Sequence, residues 1–276
     1  MKTETLTQPQ IKAVASGRPH QNFLRKHDQV IVGSIAVVVV MGIWELIWSY
    51  TNWISPLFFS GPSAIAKQFW YGFTQGTLLA DLAFSGKNFA LGFAIALVTG
   101  VVVGVIVGWY RGARLVLDPF LNALYATPRL AMMPLIIIWF GIGYESKVFI
   151  VFLSAFFPIL VNTVGGIRTL DRDLLRAARA FCASDWQIFK TLAIPSSVPF
   201  ILTGVRQGVA LGLIGVVVGE MLGGSEGIGF MVTYGGQTFQ TDTVFVGVVI
   251  IAFAGIVLTS LAERLERRFS RWRPER

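Results

Sequence analysis

Cysteine and histidine are nearly absent from this 276-residue chain, which holds one Cys, Cys182, and two His, His20 and His27. A single thiol excludes an intramolecular disulfide, and two histidines near the N-terminus add no zinc-ligand cluster. Charge is scarce too, at 14% of residues against 54% hydrophobic, with a mean hydropathy of +0.65. Such a balance does not suit the surface of a soluble domain and belongs in a bilayer. The nucleotide-binding patterns GxGxxG and GxxxxGK are missing, as is the metalloprotease pattern HExxH, so the chain is not expected to hydrolyse a nucleotide itself. The net charge of +8 does not point to nucleic acid, because Lys and Arg lie between and beyond the apolar runs with no basic, aromatic-interleaved face.

What is present is long apolar runs. Segments at about 30–49, 88–109, 119–140, 147–167, 200–222 and 243–262 each reach the roughly 17–25 residues that a membrane-spanning helix requires. The expected fold class is an all-α membrane protein of about six spans, with one membrane domain over 30–262 and polar or basic segments at 1–29 and 263–276. The first apolar run has no small-residue cleavage site and reads as a retained anchor. Basic residues alternate between loops. Lys12, Arg18, Arg25 and Lys26 precede the first span, Arg111 and Arg114 follow the second, Arg168 to Lys190 follow the fourth, and six arginines from Arg264 to Arg276 follow the last. By the positive-inside rule both termini and the 168–199 loop are cytoplasmic.

Two segments on the opposite side are more than turns. Pro62 at a helix start, followed by Ile65, Phe69 and Phe73 at four-residue spacing, predicts an amphipathic helix at the outer interface, with Trp48, Tyr50 and Trp53 in the same aromatic belt. The glycine-rich stretch 219–239 predicts a tightly turned or re-entrant path that could line a cavity. Within the spans, Gly100, Gly104 and Gly108, and again Gly204, Gly208 and Gly212, form small-residue stripes of the kind that let helices pack closely.

The 168–199 loop is larger than a chain reversal needs. It predicts two short helices, one over about 172–181 and one opened by Ser184, whose hydroxyl and Gln187 three residues on spell a capping box, before Pro195 and Pro199 break the pattern. An element this size at the membrane surface reads as a docking site. An ATP-independent secondary transporter or channel is the rival reading, and it would favour charged pairs in mid-membrane. An intramembrane enzyme lacks a convincing nucleophile, base or metal cluster.

This loop resembles the cytoplasmic signature of bacterial ABC importer permeases, E-A-A, three residues, G, nine residues, I-x-L-P. Arg176, Ala177 and Ala178 occupy the E-A-A places, Cys182 the glycine, Leu192 the isoleucine, and Ile194 with Pro195 the closing pair. The stretches 126–149, 179–206 and 216–232 are also similar to the subgroup that imports nitrate, sulfonates, taurine, bicarbonate and related solutes. The resemblance implies a transport subunit without enzymatic activity or cofactor. Its implied partners are cytoplasmic ABC ATPases, an extracytoplasmic solute-binding protein and a second permease copy, in a bacterial inner membrane. It further implies ATPase docking at Arg176, Ala177, Ala178, Cys182, Ala183, Leu192 and Pro195. Two departures stand out: Arg176 replaces an acid, and Cys182 replaces a hinge glycine, so its backbone either keeps a negative φ or accepts strain.

Pro128, Met132, Met133 and Pro134 in the third span are candidates for a broken, pathway-lining helix, with a packing kink as the alternative. Glu220, beside the glycine-rich stretch, is a candidate gate residue or a structural hydrogen-bond partner, and Glu45 in the first span is expected to pair or stay protonated. Arg206 is expected to snorkel to headgroups, with positive charge presented to an anion leaving the pathway as the alternative, and no ion filter stands out along the pathway.

Overall fold

The computed structural model describes residues 21–50, 55 and 57–269, with side chains described between Ile31 and Arg268. The expectations that concern the chain before Gln21, Trp53, and the last arginines lie outside these residues. The described chain is helical throughout, without strands: α1 (Gln21–Tyr50), α2 (Pro62–Thr74), α3 (Leu78–Trp109), α4 (Arg111–Ala126), α5 (Met133–Phe140), α6 (Tyr144–Arg168), α7 (Arg172–Ala180), α8 (Asp185–Ile188), α9 (Ile194–Gly223), α10 (Ile228–Gln237) and α11 (Thr241–Phe269). Five helical runs are long and apolar enough to cross a membrane, and α4 with the segment Arg129–Phe140 makes a sixth if the bent pair is one span.

The chain divides into two compact units. In the first, which joins the residues up to Ser55 with Gly61–Ser63, α1 is a uniformly apolar span whose Glu45 is engaged: its Oε2 accepts the Ser63 amide at 3.0 Å and its Oε1 accepts the Ser49 hydroxyl at 3.3 Å. A carboxylate at the first turn of a helix takes up an amide that has no partner within that helix, so Glu45 pairs with a helix start. Gly61 lies flat against the Trp48 indole, where a Cβ would collide with the ring.

In the second unit α6 is the central helix, packed between α3 and α9. Small residues explain both contacts. Gly92, Ala96, Gly100, Gly104 and Gly108 are buried on one face of α3, and a Cβ at Gly104 would stand 2.6 Å from Thr163 Cβ. From the other side Gly204, Gly208, Gly215 and Gly219 of α9 press on the α6 backbone, with a Cβ at Gly208 3.1 Å from Ile159. The glycine stripes are packing seams, extended beyond the three positions expected on each helix. Arg114 closes the end of α3 by donating to the Val107 and Gly108 carbonyls at 3.2 and 2.6 Å.

The boundaries differ from expectation in three places. α3 begins at Leu78, ten residues ahead of the predicted span, because Asp81, Ser85 and Asn88, which lower local hydropathy, are buried with polar partners in a cluster described below. The expected third span at 119–140 is instead two helices bent by 86°; Pro119 sits inside α4, while Thr127 and Pro128 run extended. Pro195 and Pro199 do not end a helix, since Asp185–Gly223 runs as one 39-residue helical stretch. A π-turn over Phe189–Ala193, in which the Ile194 amide reaches back to the Phe189 carbonyl, shifts the hydrogen-bond register just before Pro195 and so absorbs its missing donor.

Candidate functional site

The 168–199 loop, expected to dock a partner, is built as two parts of different character. α7 starts at Asp171, whose side chain accepts the Asp173 amide at 2.7 Å, and it carries Arg172, Arg176 and Arg179 on an exposed surface. It ends in a reversal in which Cys182 N–H donates to Arg179 O at 2.9 Å and Ala183 N–H to Ala178 O at 3.1 Å. That pair of bonds is the Schellman motif, and Cys182 sits at its left-handed position with φ of 55°. Of the two options for Cys182, the structure takes the strained one, because the motif needs a positive φ and the family signature's glycine is suited to it. Arg176 pairs with Asp173 at 3.3 Å, both side chains being exposed, which is worth little in water.

The second part is anchored. Ser184 Oγ accepts the Gln187 amide and Gln187 Oε1 accepts the Ser184 amide, at 3.3 and 2.7 Å, completing the expected capping box. Phe189 stacks on Trp186 with centroids 5.5 Å apart and meets Trp109 of α3 edge-on at 5.0 Å, and Ile188 is buried. Between the two parts, Phe181 is 88% exposed and Trp186 68%, with Leu174 exposed nearby. These are large apolar side chains exposed in a basic loop. Among the predicted docking residues, Arg176, Ala177 and Cys182 are exposed with Phe181, and Ala178 and Ala183 are half-buried beside them. Leu192 and Pro195 are half-buried in the π-turn and the start of α9, away from that surface. The sequence reading missed Phe181, Leu174 and Trp186, which the sequence does not separate from Leu175, Ile188, Phe189 and Leu192 of the same loop; exposure in the fold does.

Deep in the second unit, the break between α4 and α5 places Arg129 against the middle of α6. Its Nη1 donates to the Ser154 carbonyl at 3.4 Å, and its guanidinium lies 5.7 Å from the Tyr125 ring and 5.8 Å from the Phe157 ring. Pro158 lies four residues after Ser154 and has no N–H, so that carbonyl lacks its usual helical donor. Arg129 lines a cavity of about 350 Å³ with Pro128, Ser154, Leu211 and Ile214. Met133 of the predicted set is fully buried in a cluster with Ile136 and Ile150, Met132 packs beside it, and Pro134 is at the start of α5 where no donor is needed. Only Pro128 of the four lines this cavity. A second cavity of about 450 Å³ shares Tyr125 and reaches Asn122, Asp118 and Arg168 toward the 168–199 loop.

At the end of the bundle opposite the 168–199 loop, Glu220 is fully buried and accepts from Ser85 Oγ at 2.8 Å, Gly229 N–H at 3.0 Å and Asn88 Nδ2 at 3.4 Å. Asp81 accepts the Gly227 amide at 2.8 Å and Ser85 the Ile228 amide at 3.0 Å. Side chains from α3 and α9 thus take up the first amides of α10, which would otherwise be unpaired in an apolar setting. Gly227 has φ of 101°, and a Cβ there would strike the Glu220 carboxylate. The glycine-rich stretch is therefore a tight turn followed by the helix α10. Ser225 and Glu226 of the turn line a cavity of about 380 Å³ with Asp81 and Tyr234. The turn at 223–227 also spells G-x-S-x-G, but it joins helix to helix, not strand to helix, and no histidine lies in residues 57–269.

Lys147, buried nearby, donates to the Gly143 carbonyl at 3.0 Å and lies 5.7 Å from the Phe84 ring. Arg206 is paired: its Nε faces Glu266 of α11 at 3.4 Å, and Glu266 also accepts the Thr203 hydroxyl at 2.8 Å. A carboxylate on the neighbouring helix holds the guanidinium against the bundle.

The comparisons with known proteins agree with this architecture. The family model described as "Binding-protein-dependent transport system inner membrane component" matches residues 96–271. The chain is 36% identical over 237 residues to the protein named as an aliphatic sulfonates transport permease, SsuC, of Escherichia coli (strain K12), covering 86% of this chain and 90% of that one. It is 36% identical over 258 residues to the riboflavin transport system permease protein RibX of Chloroflexus aurantiacus, covering 92% and 95%. Its fold is similar to a chain of the MetNI methionine ABC transporter in an inward-facing conformation, with a TM-score of 0.62 at 17% identity over 71% of this chain and 97% of that one. The chain belongs to the family of binding-protein-dependent transport system inner membrane components, the multi-pass permease subunits of ABC transporters whose ATPase is a separate subunit.

Proposed function

We propose that this permease couples a cytoplasmic ATPase to solute import through the exposed surface of α7, with Phe181 and Trp186 as apolar anchors and Ala177 and Ala178 allowing close approach. Both termini and the docking loop face the cytoplasm in this reading, as the alternating basic loops favour. A solute-binding protein delivers the solute at the opposite face, and a second copy of the chain completes the path. The solute is small, of the nitrate, sulfonate, taurine or bicarbonate kind.

The observation that carries the coupling is the continuity of Asp185–Gly223. At 1.5 Å per residue, 39 residues make a rod of roughly 58 Å. One end is fixed to the docking loop by the capping box and the Trp186–Phe189–Trp109 cluster, and the other carries Glu220 and the α10 contacts. Closure of the ATPases would move the loop, and the rod would carry the movement to the far end as a switch between two packings.

Phe181→Asp tests the docking. Phe181 is almost fully exposed, so folding should be unaffected while co-purification with the ATPase falls at least tenfold. Ala178→Glu should act in the same direction. If both variants retain the ATPase like the unaltered permease, the docking assignment is wrong. Uptake that persists with a hydrolysis-dead ATPase would favour the secondary-transporter reading.

A further inference from the structure

Arginine is a permanent cation in proteins, and one placed in mid-membrane normally sits beside a carboxylate. Arg129 has none: among the described residues the ion pairs are Arg176–Asp173, Arg206–Glu266 and Arg267–Glu263. Its depth follows from its neighbour. Ser154 is ten residues into α6, roughly 15 Å from that helix's start at a rise of 1.5 Å per residue, which is about half the thickness of a hydrocarbon core.

The guanidinium is held in place on one side only. The Ser154 carbonyl, exposed by Pro158, and the faces of Tyr125 and Phe157 position it from α6 and α4. These contacts engage one of its five N–H donors, and the cavity of about 350 Å³ takes up the open side. Across that cavity stand the apolar side chains of Leu211 and Ile214 of α9, the helix that connects the docking loop to the far end. A planar fork of donors carrying an uncompensated charge in a small cavity matches the oxygens of a compact oxyanion.

We propose that Arg129 is the charge-recognition residue of the translocation path, and that the oxyanion group of the solute pairs with it in passing. The adjoining cavity, which shares Tyr125, contains Asp118 as well as Arg168, so the anion is released into a region without net attraction. The site is open on one side and supplies a single cation, which suits transient pairing better than storage. Because Ile214 and Leu211 belong to the coupling rod, movement of α9 changes the width of the cavity at Arg129. The proposal rests on the transport reading above and adds to it the residue that meets the solute's charge.

The test uses the complete transporter, permease with its ATPase and binding protein, in proteoliposomes. ATP-driven uptake of ethanesulfonate, nitrate and bicarbonate is measured, with riboflavin as the neutral comparison. The expected result is uptake of one of the anions, a loss of at least tenfold in Arg129→Gln, and partial uptake in Arg129→Lys, at least threefold above the Gln variant because the charge is kept while the planar fork is lost, with ATPase co-purification equal in all three proteins. Uptake by Arg129→Gln within twofold of the unaltered transporter overturns the proposal, as does accumulation of riboflavin in place of the anions. Should the Gln variant fail to assemble, Arg129→Met takes its place: a tenfold loss in the assembled Met variant supports the charge role, and uptake within twofold of the unaltered transporter overturns it. If the unaltered transporter drives no solute with ATP, the transport reading itself falls, an outcome distinct from a variant that behaves like its parent.

Discussion

Glu220 can be probed because its two oxygens have different partners. Oε2 accepts from both Ser85 and Gly229, whereas Oε1 accepts only the long bond from Asn88, whose own Oδ1 is buried without a partner. Gln at this position keeps one acceptor for Ser85 and Gly229, and its amide group can donate to Asn88 once that side chain flips to present Oδ1. Glu220→Gln should therefore keep the thermal midpoint of the purified permease within about 2 °C. Glu220→Ala strands buried donors at about 1–3 kcal/mol each and should lower the midpoint clearly. Equal loss in both variants would mean that the charge, and not the hydrogen-bond geometry, holds α10. Cys182 gives the opposite sign. Its left-handed backbone favours glycine, so Cys182→Gly should stabilise the permease by about 1 kcal/mol, after allowing for the extra freedom of glycine in the unfolded chain, as read by thermal unfolding. The sequence already held the cysteine in a glycine's place, but the sign of φ was not legible there; it depends on the Ala183-to-Ala178 bond that closes the motif.

At the scale of elements, the tight face of α3 predicts a contrast within one helix. A Cβ at Gly104 would meet Thr163 Cβ at 2.6 Å, while at Gly86 it would meet nothing within 4 Å. Gly104→Ala should destabilise by about 1–3 kcal/mol through overpacking against α6, and Gly86→Ala should be neutral or gain up to about 1 kcal/mol from helix propensity. If the two alanines behave alike in thermal unfolding, the α3–α6 seam is not as close as described. These stripes were legible because glycine every four residues on an apolar helix has few other uses. The polar start of α3 was not, since hydropathy reads Asp81 and Asn88 as loop residues until Glu220 and the α10 amides, more than 130 positions away, are brought beside them. The break in the third span was half legible: Pro128 and Pro134 flagged it, but Pro134 turned out to start a helix, and the bend placed Arg129, read only as part of an apolar span, in a cavity.

For the whole molecule, the useful question is whether docking and transport can be separated, since α7 binds in this reading and the rod transmits. The π-turn is the place to cut. Lys190 and Thr191 are exposed there, and neither belongs to the Trp186–Phe189–Trp109 cluster nor to the Phe181 surface. Replacing both with glycine costs roughly 2 kcal/mol of local helix stability and creates a hinge in an otherwise continuous 39-residue run. The ATPase should remain bound, because its docking surface is unchanged. Movement of the loop would then bend the hinge before it displaced Gly204 to Gly219 along α6 and reached Glu220. The expected phenotype is uncoupling: ATP hydrolysis by the assembled complex near that of the unaltered transporter, with solute accumulated per ATP down at least fivefold. Full coupling in the double-glycine variant would show that force reaches the far end by another route, most directly through α6, which touches both α3 and α9 along its length.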